Sequence, residues 1–168
     1  MTDQTPDPTL DRLLRHMAWA NSALMTTLSG LPDSALALAA PRNEWTAAMI
    51  LGHLVSAAGG YATRLDGVPR PPDTEPPTHA GELAEIIARC ADFDARLRAQ
   101  AVLPDILVPH PHPERPARAR STILAQAIHH ATEHRAQIAG ALSTNGVNAI
   151  DLDELDLWAY GEDEGLGA

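Results

Sequence analysis

The stretch STILAQAIHHATEHRAQIAGAL, from Ser121 to Leu142, decides the fold. It holds no proline, its one glycine lies close to the end, and Ala and Leu dominate it, all of which favour helix. Ile123, Ala127, His130, His134, Ile138 and Ala141 recur at three- and four-residue steps, which lines them up as one stripe of an α-helix. Ser121 is a candidate cap, and Asn145-Gly146 is a stop signal. Two histidines therefore fall in the middle of an apolar stripe, while His129 falls off it and is expected in solvent.

Three further segments repeat this pattern toward the N-terminus. From Pro8, the residues Leu10, Leu13, Leu14, Met17, Asn21, Leu24 and Leu28 mark an amphipathic helix that ends at Gly30-Leu31-Pro32. Asn21 is the polar member of that stripe, and a buried amide costs about 1–3 kcal/mol unless it finds partners. A second helix capped by Thr46 would bury Met49, Ile50, His53, Leu54, Ala57 and Tyr61, so a third histidine falls among apolar neighbours. A third helix, opened by Thr78, carries Leu83, Ile86, Ile87, Cys90, Phe93 and Leu97 on one face.

Between the second and third helices, Pro69, Pro71, Pro72, Pro76 and Pro77 forbid helix and favour an extended, semi-rigid path. The stretch Leu103 to Pro116 holds five more prolines around His110 and His112, with short β-like runs on either side. The tail from Asp151 mixes acidic residues with Leu152, Leu155, Leu157, Trp158 and Tyr160, as a short segment packed on a bundle would. These features predict an all-α four-helix bundle with a long Pro-rich crossover between helices two and three, in one domain over residues 1–168.

Charge narrows the function. Twelve basic residues, all of them Arg, stand against 22 acidic ones, giving a net charge of −10, so phosphate backbones and anionic membranes repel the chain. With aromatic residues at only 4%, stacking platforms for single strands are scarce; neither a nucleic-acid nor a membrane partner is expected. The single cysteine, Cys90, excludes an intramolecular disulfide and a cysteine-based zinc site. Neither a signal-like N-terminus nor a long apolar run is present, and a cytoplasmic location is expected.

Histidines four apart on a helix share a face with Cβ atoms about 5–6 Å apart, so His130 and His134 can aim at one ion. Eight histidines in 168 residues produce such a pair by chance often enough that spacing alone decides nothing. Placement adds weight, because three imidazoles on the apolar stripes of two helices each need a specific partner, and a shared ion would serve all three. The alternative is that each imidazole hydrogen-bonds a neighbouring carbonyl. Gln137 lies on the same face as the pair and could orient a group at an ion, as could Asn21, although both amides could instead set bundle register by interhelical hydrogen bonds. Arg115, Arg118 and Arg120 form a local cationic cluster before helix four, with solvated loop positions as the plainer alternative.

The sequence resembles the DinB-like four-helix-bundle metalloenzymes, also described as the DinB/YfiT superfamily. The resemblance rests on Trp19-Ala20-Asn21 in helix one, Gly52-His53-Leu54 in helix two, the run His130-Ala131-Thr132-Glu133-His134-Arg135-Ala136-Gln137 in helix four, and the tail Asp156 to Gly161. It spans roughly residues 8 to 161. Glu133 stands where the family usually has His and Ala136 where it usually has Gly; neither position is an expected ligand.

The resemblance implies that His53, His130 and His134 bind one divalent metal, zinc or nickel, with coordination positions left open, and that the protein is a homodimer. It further implies an enzyme that transfers a low-molecular-weight thiol to a small electrophile, as in the bacillithiol S-transferases and the mycothiol-dependent maleylpyruvate isomerase. In this reading Gln137 and Asn21 are candidate catalytic residues, and Arg118 and Arg120 would hold a carboxylate-bearing thiol. A metal-dependent hydrolase is one alternative; a non-catalytic metal-binding stress-response or interaction protein is another.

Overall fold

Asp7 starts the first helix by accepting hydrogen bonds from the Thr9 and Leu10 N–H groups, both at 2.9 Å, with Pro8 in the first turn where its missing N–H costs nothing. In this computed structural model, which describes residues 7–165, α1 spans Pro8–Ser29, α2 Ala47–Asp66, α3 Leu83–Ala99, α4 Arg120–Ser143 and α5 Leu157–Asp163. A two-residue hairpin, β1 (Leu107–Val108) against β2 (Arg118–Ala119), pairs Leu107 with Ala119 in antiparallel register just before α4. The all-α bundle with a long Pro-rich crossover between its second and third helices, expected from the sequence, is thus the observed fold.

Side-chain pairs fix the directions of the helices. On α1 and α3, Asp11 meets Arg98 while Asn21 meets Asp94 and Cys90, so these two run antiparallel. On α2 and α4, His53 lies beside His134 and Tyr61 beside His130, again antiparallel. Gly59 touches Phe93 and Asp66 bonds Arg96 and Gln100, so α2 and α3 are parallel. Parallel neighbours must be joined by a chain that returns the length of the bundle, and the Pro-rich segment does this.

The crossover is fastened along α2. The Thr74 N–H donates to Ser56 Oγ at 2.8 Å, and that hydroxyl donates to the Gly52 carbonyl at 2.7 Å. A Cβ on Gly52 would lie 2.9 Å from the Thr74 carbonyl oxygen, so only glycine lets this backbone approach. Gly59 plays the same part toward α3, where a Cβ would meet the Phe93 ring at 2.9 Å. One contiguous core of Leu, Ile, Val, Met and Ala runs through all four long helices, with Leu14, Leu51, Leu83 and Leu142 fully buried.

Three local expectations are corrected. Met49 is 39% exposed, and Leu51 and Val55 are buried instead, because α2 is apolar on more than one face and turns this edge outward. Thr78 does not open helix three: Glu82 accepts the Thr78 N–H at 2.6 Å, a 3-10 turn covers Ala80–Glu82, and α3 starts at Leu83. Ser121 is not the cap of α4, which follows Ala119; its N–H and Oγ both donate to Asp105, at 2.9 and 2.8 Å. The tail packs only in part: Asp156 caps α5, Tyr160 is buried and Leu155 offers its carbonyl to His16 Nε2 at 2.8 Å, but Leu152, Leu157 and Trp158 are exposed because the short α5 turns a single face to the bundle.

Candidate metal centre

The three histidines of the apolar stripes converge. His53 comes from the second turn of α2, and His130 and His134 from the middle of α4. Their ligand nitrogens all lie within 4.8 Å of one another, and among the described residues these are the three side chains that form such a cluster. His134 is buried, His130 is half-buried, and His53 stands at the solvent edge with the Trp45 ring edge-on at 5.0 Å.

A hydrogen bond orients His134. Its Nδ1 lies 2.7 Å from Gln137 Oε1, and since an amide oxygen only accepts, Nδ1–H donates and Nε2 is turned toward the cluster. That Nε2 faces His130 Nε2 at 3.0 Å. Two nitrogens held about 2.0–2.1 Å from a common ion stand roughly 3.0–3.4 Å apart at ordinary coordination angles, so the separation is that of two ligands of one metal. Burial, then the neighbouring His134 and His53, push the His130 pKa down to about 4, and burial followed by His134 and Arg70 lowers that of His53. Three imidazoles with converging ring nitrogens form a donor set that fits a borderline divalent cation.

The cluster opens onto a cleft of about 500 Å³. His53 and His130 lie on its wall, Ala57 and Gly60 leave room along α2, and Tyr61 sets its ring at right angles to His130 with centroids 5.9 Å apart. The far side is built from the two Pro-rich segments, which bring Arg70 from the crossover and His110, His112 and Arg115 from the loop before β2. Arg64 ties this loop to α2 by donating to the Val108 and Pro109 carbonyls at 3.0 and 3.1 Å. The His110 and His112 rings stack at 5.4 Å, and desolvation, then Arg64 and Arg115, lower the His110 pKa.

The other candidates fall into two groups. Gln137 reaches the cluster through His134, as just described. Asn21 does not; it accepts from Arg135 Nη1 at 2.7 Å and donates to Asp94 Oδ2 at 3.1 Å, joining α1, α3 and α4 in a separate buried network. Arg120 is buried, donating to the Pro104 carbonyl at 3.0 Å and to Gln100 Oε1, so it anchors the start of α4. Arg118 on β2 is exposed and does not line the cleft. Glu133, in place of the family's usual His, faces solvent beside His129 at 3.5 Å.

Arg64 and Arg70 went unnoticed in the sequence. Arg64 did leave a signal, since it follows His53 by eleven residues and so sits three turns along the same face of α2. Arg70 left none, because its position depends on how the crossover folds back.

Fold and cluster together define a helical-bundle protein with a three-histidine site capable of holding a metal ion. A model of the DinB family matches residues 1–164, nearly the whole chain, and the protein belongs to that family. No curated protein and no solved structure matches it.

Proposed function

We propose that His53, His130 and His134 hold one divalent metal ion, zinc or nickel, and that the protein is a metal-dependent enzyme transferring a low-molecular-weight thiol to a small electrophile. The observation that carries the metal reading is the convergence of three imidazoles, two of them on the wall of an open cleft. Three protein ligands leave positions for other groups, as catalytic sites do, whereas structural zinc sites are closed by four. When bound, such a cation favours the deprotonated form of a thiol or water and so supplies a nucleophile at neutral pH.

The chain's own residues do the rest. Gln137 holds His134 with Nε2 turned toward the cluster, Trp45 and Tyr61 pack against the His53 and His130 rings, and the cleft admits a small molecule beside them. The thiol chemistry rests on the family resemblance; the hydrolase reading differs only in using water.

The test is elemental analysis of untagged protein, comparing wild type with His53→Ala and His134→Ala. About one ion per chain, lost in both variants with helicity kept, supports the site; a wild type that takes up no zinc, or variants that retain it, overturns it. Turnover of an electrophile only when a thiol is added supports the transferase, and turnover with water alone replaces it by the hydrolase.

A further inference from the structure

The cleft carries a second chemical signature, its charge. In a chain of net charge −10, no Asp or Glu lines this cleft, whereas Arg64, Arg70 and Arg115 all do. Three cations from three separate segments concentrate positive potential in a concave, partly desolvated space, where it attracts anions more strongly than on open surface. His110 and His112 add N–H donors on the same side.

The three arginines are not equivalent. Arg64 has its guanidinium engaged with the Val108 and Pro109 carbonyls, which makes it a positioning residue that fixes the loop carrying Arg115. Arg70 is exposed and bonds Asp73 at 2.6 Å across an exposed pair, an arrangement worth about 0–1 kcal/mol that a ligand anion can replace. Its guanidinium lies over Gly60, where an added Cβ would come within 3.5 Å of Nη1. Gly60 is seven residues beyond His53, which on a helix is about 10 Å along the axis. Arg115 is also exposed, on the loop facing Arg70. Glu114, next to it in sequence, stands 4.0 Å from His112 on the rim and outside the lining.

We infer that this cleft takes a small organic anion whose acidic group is held by Arg70 and Arg115 while the rest of the molecule extends along Ala57 and Gly60 to His53 and His130. Guanidinium groups suit a carboxylate because their planar N–H donors match its two oxygens. The span of about 10 Å and the cleft volume of about 500 Å³ suit a molecule the size of a dipeptide or a sugar acid. The inner end of this inference rests on the metal-site reading; the outer end stands on the arginines alone.

The test is calorimetric titration of succinate, glutarate and adipate against their neutral diamides. It uses wild type and the Arg70→Gln/Arg115→Gln double variant, each zinc-loaded and zinc-stripped. Wild type is expected to bind at least one dicarboxylate tenfold or more tighter than its diamide, and the double variant to lose that preference with unchanged zinc content and thermal midpoint. A wild type that binds neither class or does not discriminate, or a double variant that keeps the preference, overturns the inference. If zinc fails to bind but the stripped protein still prefers the acid, the anion cleft stands and the metal reading falls. If zinc binds and the preference is missing, the reverse holds.

Discussion

Two polar clusters lie within this bundle only a helix apart, and they are built on opposite rules. Between α1, α3 and α4, Asn21, Asp94 and Arg135 are linked by hydrogen bonds: Arg135 donates to Asn21 and Thr132, and Asn21 donates to Asp94 Oδ2, with Cys90 Sγ 3.6 Å from the same oxygen, while Asp94 Oδ1 has no partner among the described residues. All three members are at most 3% exposed. Between α2 and α4, the histidines bring their ring nitrogens together beside a cleft. A buried hydrogen-bond network holds helices in register, whereas converging imidazole nitrogens offer a donor set for a cation. Asn21 and Gln137 show the difference for one chemical group, since Asn21 is buried and bonds Asp94 whereas Gln137 is exposed and bonds His134.

The largest effect should come from breaking the buried network. Arg135→Met would leave the buried Asn21 Oδ1 without its donor and remove the nearby positive charge that favours the Asp94 carboxylate, which together cost about 3 kcal/mol. Urea denaturation should show this loss. Zinc content of the folded fraction should stay at the wild-type value, because none of the three histidines bonds Arg135; loss of zinc would show that the two clusters are one unit.

The clusters should also respond to acid in opposite directions. Burial raises the Asp94 pKa from 3.8 to about 6, against hydrogen bonds from Asn21 and Cys90 that lower it, so the folded state binds this proton more tightly than the unfolded chain. Stability from this group is therefore greatest below pH about 4 and falls, by up to about 3 kcal/mol, as pH rises through 6. His130 in the metal-free protein has its pKa lowered from 6.5 to about 4, so the unfolded chain takes the proton first. Its contribution is intact above pH 6.5 and is lost as pH falls to 4, by about 1 kcal/mol once solvent screening of a half-exposed ring is allowed for. His16 and His53, whose pKa values burial also lowers, add to the loss in acid, so each variant is compared with stripped wild type. Denaturant midpoints between pH 6.5 and 4 should fall more steeply with acid in Asp94→Asn than in wild type and less steeply in His130→Gln. Parallel profiles in the two variants would break the contrast.

The histidine cluster was more legible in the sequence than the buried network, and the reason is periodicity. His53, His130 and His134 interrupt apolar stripes at helical spacing, and helical spacing survives folding, so their shared side was legible along with the four long helices. Arg135 follows His134 directly and lies off the apolar stripe, yet it is buried, because its guanidinium meets Asn21 on α1. Contacts between helices leave no spacing signature. The same limit hid Arg70, and it made Arg118 and Arg120 candidates on proximity in sequence where the fold placed Arg64 and Arg70 on the cleft. Capping failed at α4 for a local reason: Asp105 reaches across from the preceding loop to take the donors that Ser121 would have served.

A smaller effect isolates the one amide that serves the histidines. Gln137→Ala would leave all three imidazoles in place but release the His134 tautomer, and loss of a partner that orients a ligand weakens metal affinity about 10–100-fold. Competition with a zinc-responsive chelator measures this. An unchanged affinity would place Gln137 with Asn21, as an amide that matters for packing alone.

The smallest effect belongs to the histidine that shares α4 without sharing its face. His129 adjoins His130 in the chain but is exposed, with only Glu133 beside it at 3.5 Å. An exposed i, i+4 pair is worth about 0.3–0.5 kcal/mol, so His129→Ala should move the denaturation midpoint within that range. Zinc affinity should not move at all, because a rotation of 100° around the helix carries the ring away from the cluster. Substituting neighbours 129 and 130 in parallel thus turns the comparison between clusters into one between adjacent residues. If His129→Ala lowered zinc affinity as much as His130→Ala, the ion would sit on the outer face of α4, and the converging ring nitrogens would have to be read as a hydrogen bond between two imidazoles.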